Sequence, residues 1–201
     1  MDEKTAVAGE DGLLRCPWGA TPEDYRAYHD GEWGRPVRGD DALFERLCLE
    51  AFQSGLSWLT ILRRREGFRA AFAGFRIREV AAFTEEDAAR LLADPGIIRN
   101  RLKIDATLAN ARVLAGWADG ELTGLIWSHA PDPSSRPVPR AFGDIPATTP
   151  ESVALAKALK GRGLRFIGPT TAYALMQACG LVDDHLADCH ARGAGASREA
   201  R

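Results

Sequence analysis

Apolar residues recur at helical spacing along most of the chain. The clearest case spans residues 43–52, where the side chains on one side of a helical wheel are Leu43, Phe44, Leu47, Cys48, Ala51 and Phe52. Nowhere do apolar and polar residues alternate over a stretch long enough to indicate a half-buried strand. The pattern therefore predicts an all-α fold.

Residues that favour helix N-termini precede several of these stretches. The predicted starts are Thr21-Pro22, Asp40 or Asp41, Ser57, Thr84 and Thr149-Pro150. A longer helix is expected between Ile97 and Leu114, and the helix that begins at Ser57 is expected to end at Arg63–Arg65. Gly161 and Gly180 are expected to end the last two helices.

The chain is predicted to form one domain with short disordered tails. Residues 129–149 are rich in proline and polar residues, which is typical of a long surface loop, here between two helical lobes. The expected domain covers residues 14–190, with a helix-hairpin-helix unit at about 150–180. Residues 1–13 and 191–201 are polar or small and are expected to be disordered.

Composition narrows the class of protein. The 201 residues are 45% hydrophobic and 27% charged, which is typical of a globular protein. No apolar run approaches the roughly 18–20 residues that cross a bilayer, and the N-terminal residues do not resemble a signal peptide, so we expect a cytoplasmic protein. The net charge of −2 hides one basic stretch: residues 152–182 contain no acid and carry four Lys and Arg residues.

This basic stretch includes a candidate phosphate-binding hairpin, Gly161–Ala172. A tight turn between two helices exposes backbone N–H groups beside a helix N-terminus, and such an arrangement can hold a phosphate without reading a base. The candidate contacts are Lys160, Arg165, Gly168 and Thr170. The alternative is an ordinary helical hairpin with a solvated basic face.

Cysteine and histidine residues near the two ends suggest a metal site. His185 and Cys189 are four residues apart and would share a helical face, while Cys16 and His29 would reach them through the fold. Such a Cys₂His₂ site would be a closed, structural zinc site. The alternative ligands are His190, Cys48 and Cys179, and buried cysteine can also serve as a small apolar residue.

Glu50 borders the apolar side of its helix, about 20° from Leu43 on a wheel of roughly 100° per residue. A carboxylate there is costly unless it is paired or bound to a ligand. One interpretation is a cationic protein partner, and the other is a positively charged planar ligand. A positively charged planar ring would require aromatic faces beside the carboxylate, although most of such a set normally belongs to the core. The nearby aromatic residues are Trp18, Tyr25, Tyr28, Trp33, Phe52 and Trp58.

Several motifs, in order, resemble those of the DNA-3-methyladenine glycosylase I family of bacterial alkylation-repair enzymes. The similarity covers about residues 14–190. The motifs are Arg15-Cys16-Pro17-Trp18, Tyr28-His29-Asp30-Gly31-Glu32-Trp33-Gly34, Leu49-Glu50, Gly55-Leu56-Ser57-Trp58, Gly96-Ile97-Ile98-Arg99 and Met176-Gln177-Ala178-Cys179-Gly180-Leu181-Val182-Asp183-Asp184-His185.

The resemblance implies a helix-hairpin-helix glycosylase that flips N3-methyladenine out of double-stranded DNA and hydrolyses its glycosidic bond. The implied zinc ligands are Cys16, His29, His185 and Cys189. The implied base-binding residues are Glu50, Tyr28 and Trp58, with Trp18, Tyr25 and Trp33 lining the same pocket. A monomer in the bacterial cytoplasm, associated with the nucleoid through its substrate, is the expected form.

Two positions bear on the chemistry. Lyase members of the superfamily carry a lysine nucleophile where this chain has Thr170, so the resemblance implies a monofunctional enzyme that leaves an abasic site. Asp183 matches the superfamily's catalytic aspartate, but it can instead cap a helix beside the metal ligands. Gly55-Leu56 is a candidate to wedge into the duplex.

A second function is consistent with the same residues. A non-enzymatic, zinc-clipped module could recognise DNA damage or structure without cleaving anything. The two hypotheses differ over Glu50, which only the enzyme requires.

Overall fold

The computed structural model describes residues 5–194, and within them the fold is helical apart from one two-stranded ribbon. The α-helices are α1 Glu23–Gly31, α2 Asp40–Gln53, α3 Trp58–Ala71, α4 Ile77–Ala81, α5 Glu85–Ala93, α6 Arg101–Leu114, α7 Glu121–Trp127, α8 Pro150–Gly161 and α9 Pro169–Ala178. Single turns of 3₁₀ helix lie at Pro17–Gly19, Ala73–Phe75, Pro133–Ser135 and Phe142–Asp144.

The ribbon departs from the all-α prediction. Strand β1, Val7–Ala8, pairs antiparallel with β2, Leu14–Arg15, so part of the predicted disordered N-terminal tail is structured. The buried Arg15 guanidinium holds the ribbon, 2.7 Å from the Asp11 carboxylate and 2.8 Å from Asp30. An ion-pair anchor of this kind leaves no periodic pattern in the sequence.

At the other end of the described chain, Ala191 is buried and Arg192 donates hydrogen bonds to the backbone oxygens of Asp183 and His185. The rest of the predicted tails, residues 1–4 and 195–201, lies outside the described residues.

Three predicted helix starts are confirmed because their caps are local. Ser57 Oγ accepts the N–H of Thr60 at the start of α3, and Thr84 forms a reciprocal capping box with Asp87 at α5. Thr149 caps α8 through the N–H of Ser152. Each cap needs only residues within one helical turn.

The predicted caps Asp40 and Asp41 are wrong for α2, which begins after Gly39. Their carboxylates serve other helices: Asp40 accepts the N–H groups of Gly120 and Thr123 at the start of α7. Asp41 accepts the Ile77 N–H at the start of α4. Neither α4 nor α7 was predicted, because both helices are short and are capped by residues from another part of the chain.

Other boundaries also shift. The predicted cap at Thr21 is wrong, since α1 begins one residue later, after Pro22, without a side-chain cap. Helix α3 continues past Arg65 to Ala71, because Phe68 is buried and Arg69 pairs with Glu45. These pairings tie the second half of α3 to α2.

Buried apolar side chains from both sides of residues 129–149 form one continuous core. Helix α2 lies at its centre, in contact with α3, α6, α7 and α9. A second, smaller cluster contains Cys16, Leu186, Cys189 and Ala191. None of the helices within residues 5–194 has the length and apolar character needed to cross a membrane.

Candidate active site

A cavity of about 460 Å³ opens between α1, α2, α9 and the segment that follows the 3₁₀ turn at Phe142–Asp144. Its lining residues are Trp18, Tyr25, Tyr28, Trp33, Glu50, Gln53, Trp58, Phe142, Ile145, Pro146, Ala147, Thr170, Tyr173, Ala174 and Gln177. All six residues predicted to bind a base therefore line one cavity.

Glu50 is the buried acid of this cavity. It is only 6% exposed, and no group within residues 5–194 forms a hydrogen bond with its carboxylate. Burial raises its pKa to about 8, and the charge of Arg46, one helical turn earlier, lowers it only in part. The first of the two interpretations of Glu50, a bonded protein partner, does not hold among the described residues. The carboxylate is therefore available to a group that enters the cavity.

Aromatic rings form the walls around this carboxylate. The rings of Tyr28 and Trp58 lie 5.4 Å apart at 44°, and Trp18 packs against Tyr25 at 5.0 Å and Trp33 at 4.9 Å. The indole Nε1 of Trp58 is buried and has no hydrogen-bond partner in the described chain. A flat ring with polar edges matches such walls.

Helix α9 supplies a wall that was not predicted from the sequence. Thr170, Tyr173, Ala174 and Gln177 stand at i, i+3, i+4 and i+7, so one face of α9 lines the cavity. The spacing is visible in the sequence, but nothing local shows which buried face of α9 meets a cavity. Thr170, predicted as a DNA contact, lies at this cavity rather than in the surface depression beside the α8–α9 hairpin.

A buried polar network stands behind this wall, centred on Asp184, which is 3% exposed. One carboxylate oxygen accepts Nη2 of Arg136 at 2.7 Å, and the other accepts the hydroxyl of Tyr173 at 2.5 Å and Nε2 of Gln177 at 2.9 Å. Burial and the Asp184 carboxylate raise the pKa of Tyr173 to about 12, so its hydroxyl remains a donor.

Asp183, the predicted catalytic aspartate, does not line the cavity. Its carboxylate accepts the backbone N–H of His185 at 3.1 Å and of Gly193 at 2.8 Å. The alternative prediction, that Asp183 caps a helix beside the metal-ligand candidates, is only partly met, because the two N–H groups belong to turns and no helix begins there within the described residues. The adjacent Asp184 is the residue that reaches the cavity wall.

The four predicted metal ligands are brought together and are all buried. Cys16, His29, His185 and Cys189 each offer one ligand atom, and these atoms lie within 4.8 Å of one another. Cys189 Sγ is 3.5 Å from His29 Nε2 and 3.6 Å from His185 Nδ1. In a tetrahedral zinc site, sulfur and nitrogen ligand atoms are separated by about 3.5 Å, so the donor set fits such an ion.

Two of the alternative ligands lie elsewhere, and the third, His190, groups with His29 and Asp30 beside the cluster. Cys48 and Cys179 are buried in the main core, and His190 Nε2 contacts Asp30 Oδ1 at 3.0 Å. Asp30 also lies 2.8 Å from His29 Nδ1, which leaves Nε2 of His29 for the cluster. A Cβ at Gly19 would overlap the His29 ring, so glycine is required for this close approach.

The hairpin between α8 and α9 has the predicted position, and α6 holds it in place. Asn110 accepts the Arg165 N–H at 2.7 Å and donates to the Arg165 carbonyl at 3.0 Å. Lys160, Arg165 and Gly168 line a surface depression beside the hairpin. Phe166, at the tip, is exposed and has a positive φ of 64°.

Leu56, the candidate wedge, is 42% exposed in the loop between α2 and α3. The buried Lys103 anchors the start of this loop, because its Nζ donates to the carbonyls of Phe52 at 2.7 Å and Ser54 at 2.6 Å. Ser54 also borders the hairpin depression. The loop thus lies between the depression and the cavity that contains Glu50.

Comparison with known proteins extends over nearly the whole chain. Residues 18–192 match the methyladenine glycosylase family profile. The chain is 46% identical over 179 residues to DNA-3-methyladenine glycosylase 1 of Escherichia coli strain K12, covering 88% of this chain and 96% of that protein.

Solved structures agree. A crystal structure of 3-methyladenine DNA glycosylase I superposes with a TM-score of 0.81 at 44% identity, covering 88% of this chain and 98% of that one. The Staphylococcus aureus enzyme, in a structure that addresses 3-methyladenine recognition, superposes with a TM-score of 0.79 at 33% identity. The match covers 89% of this chain and 96% of that one. Fold and site together are those of a DNA glycosylase. The chain belongs to the methyladenine glycosylase family.

Proposed function

We propose that this protein excises N3-methyladenine from alkylated double-stranded DNA and leaves an abasic site for base-excision repair. The observation that carries the proposal is Glu50, a buried carboxylate without a hydrogen-bond partner among residues 5–194, in a cavity walled by aromatic rings. Relatives named for this activity cover the same length of chain.

The charge of the substrate base suits the cavity. Methylation at N3 makes adenine cationic, and a cation beside Glu50 favours the ionised carboxylate and offsets the cost of burying it. Tyr28 and Trp58 provide faces for stacking, which compensates for the few kcal/mol that base flipping costs. The carboxylate then accepts an N–H group from the base.

The bond to the sugar is already weak in such a base. The electron pair of the glycosidic bond leaves with the neutral methyladenine, and water attacks the sugar carbon and loses a proton. Little general acid catalysis is needed, and the Asp183 carboxylate, which does not line the cavity, accepts two backbone N–H groups instead. With Thr170 where lyases have a lysine, no covalent intermediate with the protein is expected.

Zinc is the metal that we propose for the Cys16, His29, His185 and Cys189 cluster. Two thiolates and two imidazoles make a closed tetrahedral set, which supplies structural support rather than a reactive water. For DNA, we propose that the Lys160 and Arg165 side chains and the N–H groups at Gly168 contact phosphates, with Leu56 as the wedge. A single copy of the chain, acting at the bacterial nucleoid, is the proposed form.

The test is release of free base from DNA that contains N3-methyladenine, measured by chromatography. We expect release by the wild-type protein and a reduction of roughly 100-fold or more in rate for Glu50→Gln, because a neutral amide does not stabilise the cationic base. Glu66→Gln, an exposed change on α3, is the matched control and should retain the wild-type rate.

Two outcomes would contradict the proposal. Absence of release by folded wild-type protein that still binds DNA would favour the non-enzymatic binding module. Full activity of Glu50→Gln would show that the buried carboxylate is not what recognises the base.

A further inference from the structure

Gln177 is a residue of the cavity wall whose side-chain orientation a protein hydrogen bond fixes. Its Nε2 lies 2.9 Å from Asp184 Oδ2. Both Asp184 oxygens accept hydrogen bonds, from Arg136 and from the Tyr173 hydroxyl, so the Gln177 amide places its donor nitrogen rather than its oxygen toward this carboxylate. Its oxygen therefore points the other way and has no hydrogen-bond partner within residues 5–194, while the side chain lines the cavity.

Asp184 is itself held on both oxygens. Arg136 donates to Oδ1 at 2.7 Å, and the Tyr173 hydroxyl donates to Oδ2 at 2.5 Å. Arg136 also donates to the Tyr173 hydroxyl at 2.9 Å. Turning the Gln177 amide over would remove one donor from a buried carboxylate and bring an oxygen against it, which is costly in a buried network.

The cavity thus offers two hydrogen-bond acceptors, the Glu50 carboxylate and the Gln177 amide oxygen. In N3-methyladenine joined to its sugar, the N–H hydrogens of the base are the two on the exocyclic amine. An acceptor from the protein can bind the base only there, and the amine has one hydrogen for each acceptor.

We propose that Gln177 is a specificity-determining residue that accepts a hydrogen bond from the exocyclic amine of the flipped base, and that Asp184 is its positioning residue. This inference rests on the proposed function and extends it to the choice of base. A purine with a carbonyl at the same position would set oxygen against oxygen. The enzyme therefore selects adenine-type over hypoxanthine-type bases.

Binding of the free bases 3-methyladenine and 3-methylhypoxanthine to the full chain tests this selectivity. Quenching of tryptophan fluorescence reports binding, since Trp18, Trp33 and Trp58 line the cavity. The measured quantity is the dissociation constant of 3-methylhypoxanthine divided by that of 3-methyladenine. A change that merely loosens the cavity weakens both ligands and leaves the ratio in place.

We expect wild-type protein to prefer 3-methyladenine and Gln177→Leu to lower the ratio by about 10-fold or more. Asp184→Asn should lower the ratio as well, because an asparagine amide can donate to Gln177 and let its amide turn over. Asp132→Asn, in an exposed turn that caps Ser134, is the matched control and should keep the wild-type ratio.

A wild-type ratio in Gln177→Leu would overturn the specificity role, whatever happens to the absolute affinities. A lowered ratio in Gln177→Leu with a wild-type ratio in Asp184→Asn would overturn the positioning role. Asp184→Ala, which also removes the acceptor that holds the Gln177 amide and should likewise lower the ratio, replaces Asp184→Asn if that variant does not fold. Failure of the wild type to release base from DNA would remove the proposed function, while a ratio that depends on Gln177 would still support this inference.

Discussion

At the scale of single residues, Glu50 shows how a site can be costly to fold. The side chain is 6% exposed and its pKa is raised to about 8 by burial, against an ordinary value near 4.5. The folded protein therefore holds a proton that the unfolded chain releases above pH 4.5. Ionising Glu50 in the folded state is unfavourable until a cation enters.

This difference predicts a pH-dependent gain in stability for Glu50→Gln. The raised pKa of Glu50 stabilises the folded wild type relative to its unfolded chain. This contribution is fully present below pH 4.5 and is lost as the pH rises through 8. Glutamine does not ionise. The free energy of unfolding of the variant should therefore rise relative to that of the wild type by about 1.4 kcal/mol per pH unit between pH 5 and 8. The gain should level off above pH 8, at about 4–5 kcal/mol.

Urea unfolding of both proteins at pH 5.5, 7 and 9 measures the difference in the free energy of unfolding. Other titrating groups, including the metal-ligand candidates, are common to both proteins and cancel. A difference that stays constant from pH 5.5 to 9 would mean that Glu50 is ionised at all of these pH values.

Asp183 and Asp184 show where reasoning from single residues fails. The motif that contains them pointed to Asp183, whose carboxylate in fact caps Gly193 and His185. Asp184 has no distinguishing signal in the sequence, because its partners Arg136 and Tyr173 lie 48 and 11 residues away. Which of two neighbouring acids is buried depends on how the turn after α9 is placed.

At the scale of elements, a helix start could be predicted where its cap lies in the same stretch of sequence, and could not where the cap comes from another part of the chain. Ser57, Thr84 and Thr149 were predicted correctly as caps because each bonds within its own first turn. Asp40 and Asp41 look the same in sequence but cap α7 and α4. A capping residue in sequence indicates that some helix begins nearby, in sequence or in space.

The hairpin between α8 and α9 yields a prediction about DNA affinity. Lys160 and Arg165 line one depression, and neither has an ion-pair partner within residues 5–194. Replacing both by Ala should weaken binding to undamaged duplex DNA and reduce the slope of log affinity against log salt by about 1 for each phosphate that is no longer neutralised. Fluorescence anisotropy over a range of salt concentrations measures both.

Arg78→Ala is the control, since Arg78 is an exposed arginine on α4 that is not part of the depression. Its salt slope should match the wild type. An unchanged slope in the double variant would place the DNA-binding face on another part of the surface.

At the scale of the whole molecule, the sequence predicted the class of fold and the residues that meet at the two sites. Glu50, Tyr28 and Trp58 lie close enough in sequence, and with sufficiently unusual chemistry, to be grouped in advance. The α9 wall and the Asp184 network were not foreseen, because they depend on which face of a buried helix borders a cavity. Helical periodicity does not distinguish a core contact from a cavity lining.

The Cys₂His₂ cluster predicts a metal-dependent stability. Cys189→Ala removes one of four ligands, and we expect loss of bound zinc and a decrease of roughly 10 °C in Tm. Elemental analysis and thermal melting measure the two effects. Cys179→Ala, a buried cysteine outside the cluster, should keep one zinc per chain. A Cys189→Ala protein that retains zinc would show that the cluster is not the metal site.

The same cluster joins residues from the two ends of the described chain. Cys16 and His185 are 169 residues apart, and the backbone N–H of His190 also bonds to the carbonyl of Leu14. During synthesis, Cys16 and His29 cannot complete the ligand set until nearly the whole domain has left the ribosome. Only a chain translated through its last ligand, Cys189, could hold the ion tightly. Prematurely terminated chains would keep only Cys16 and His29, and we expect them to be open to proteolysis.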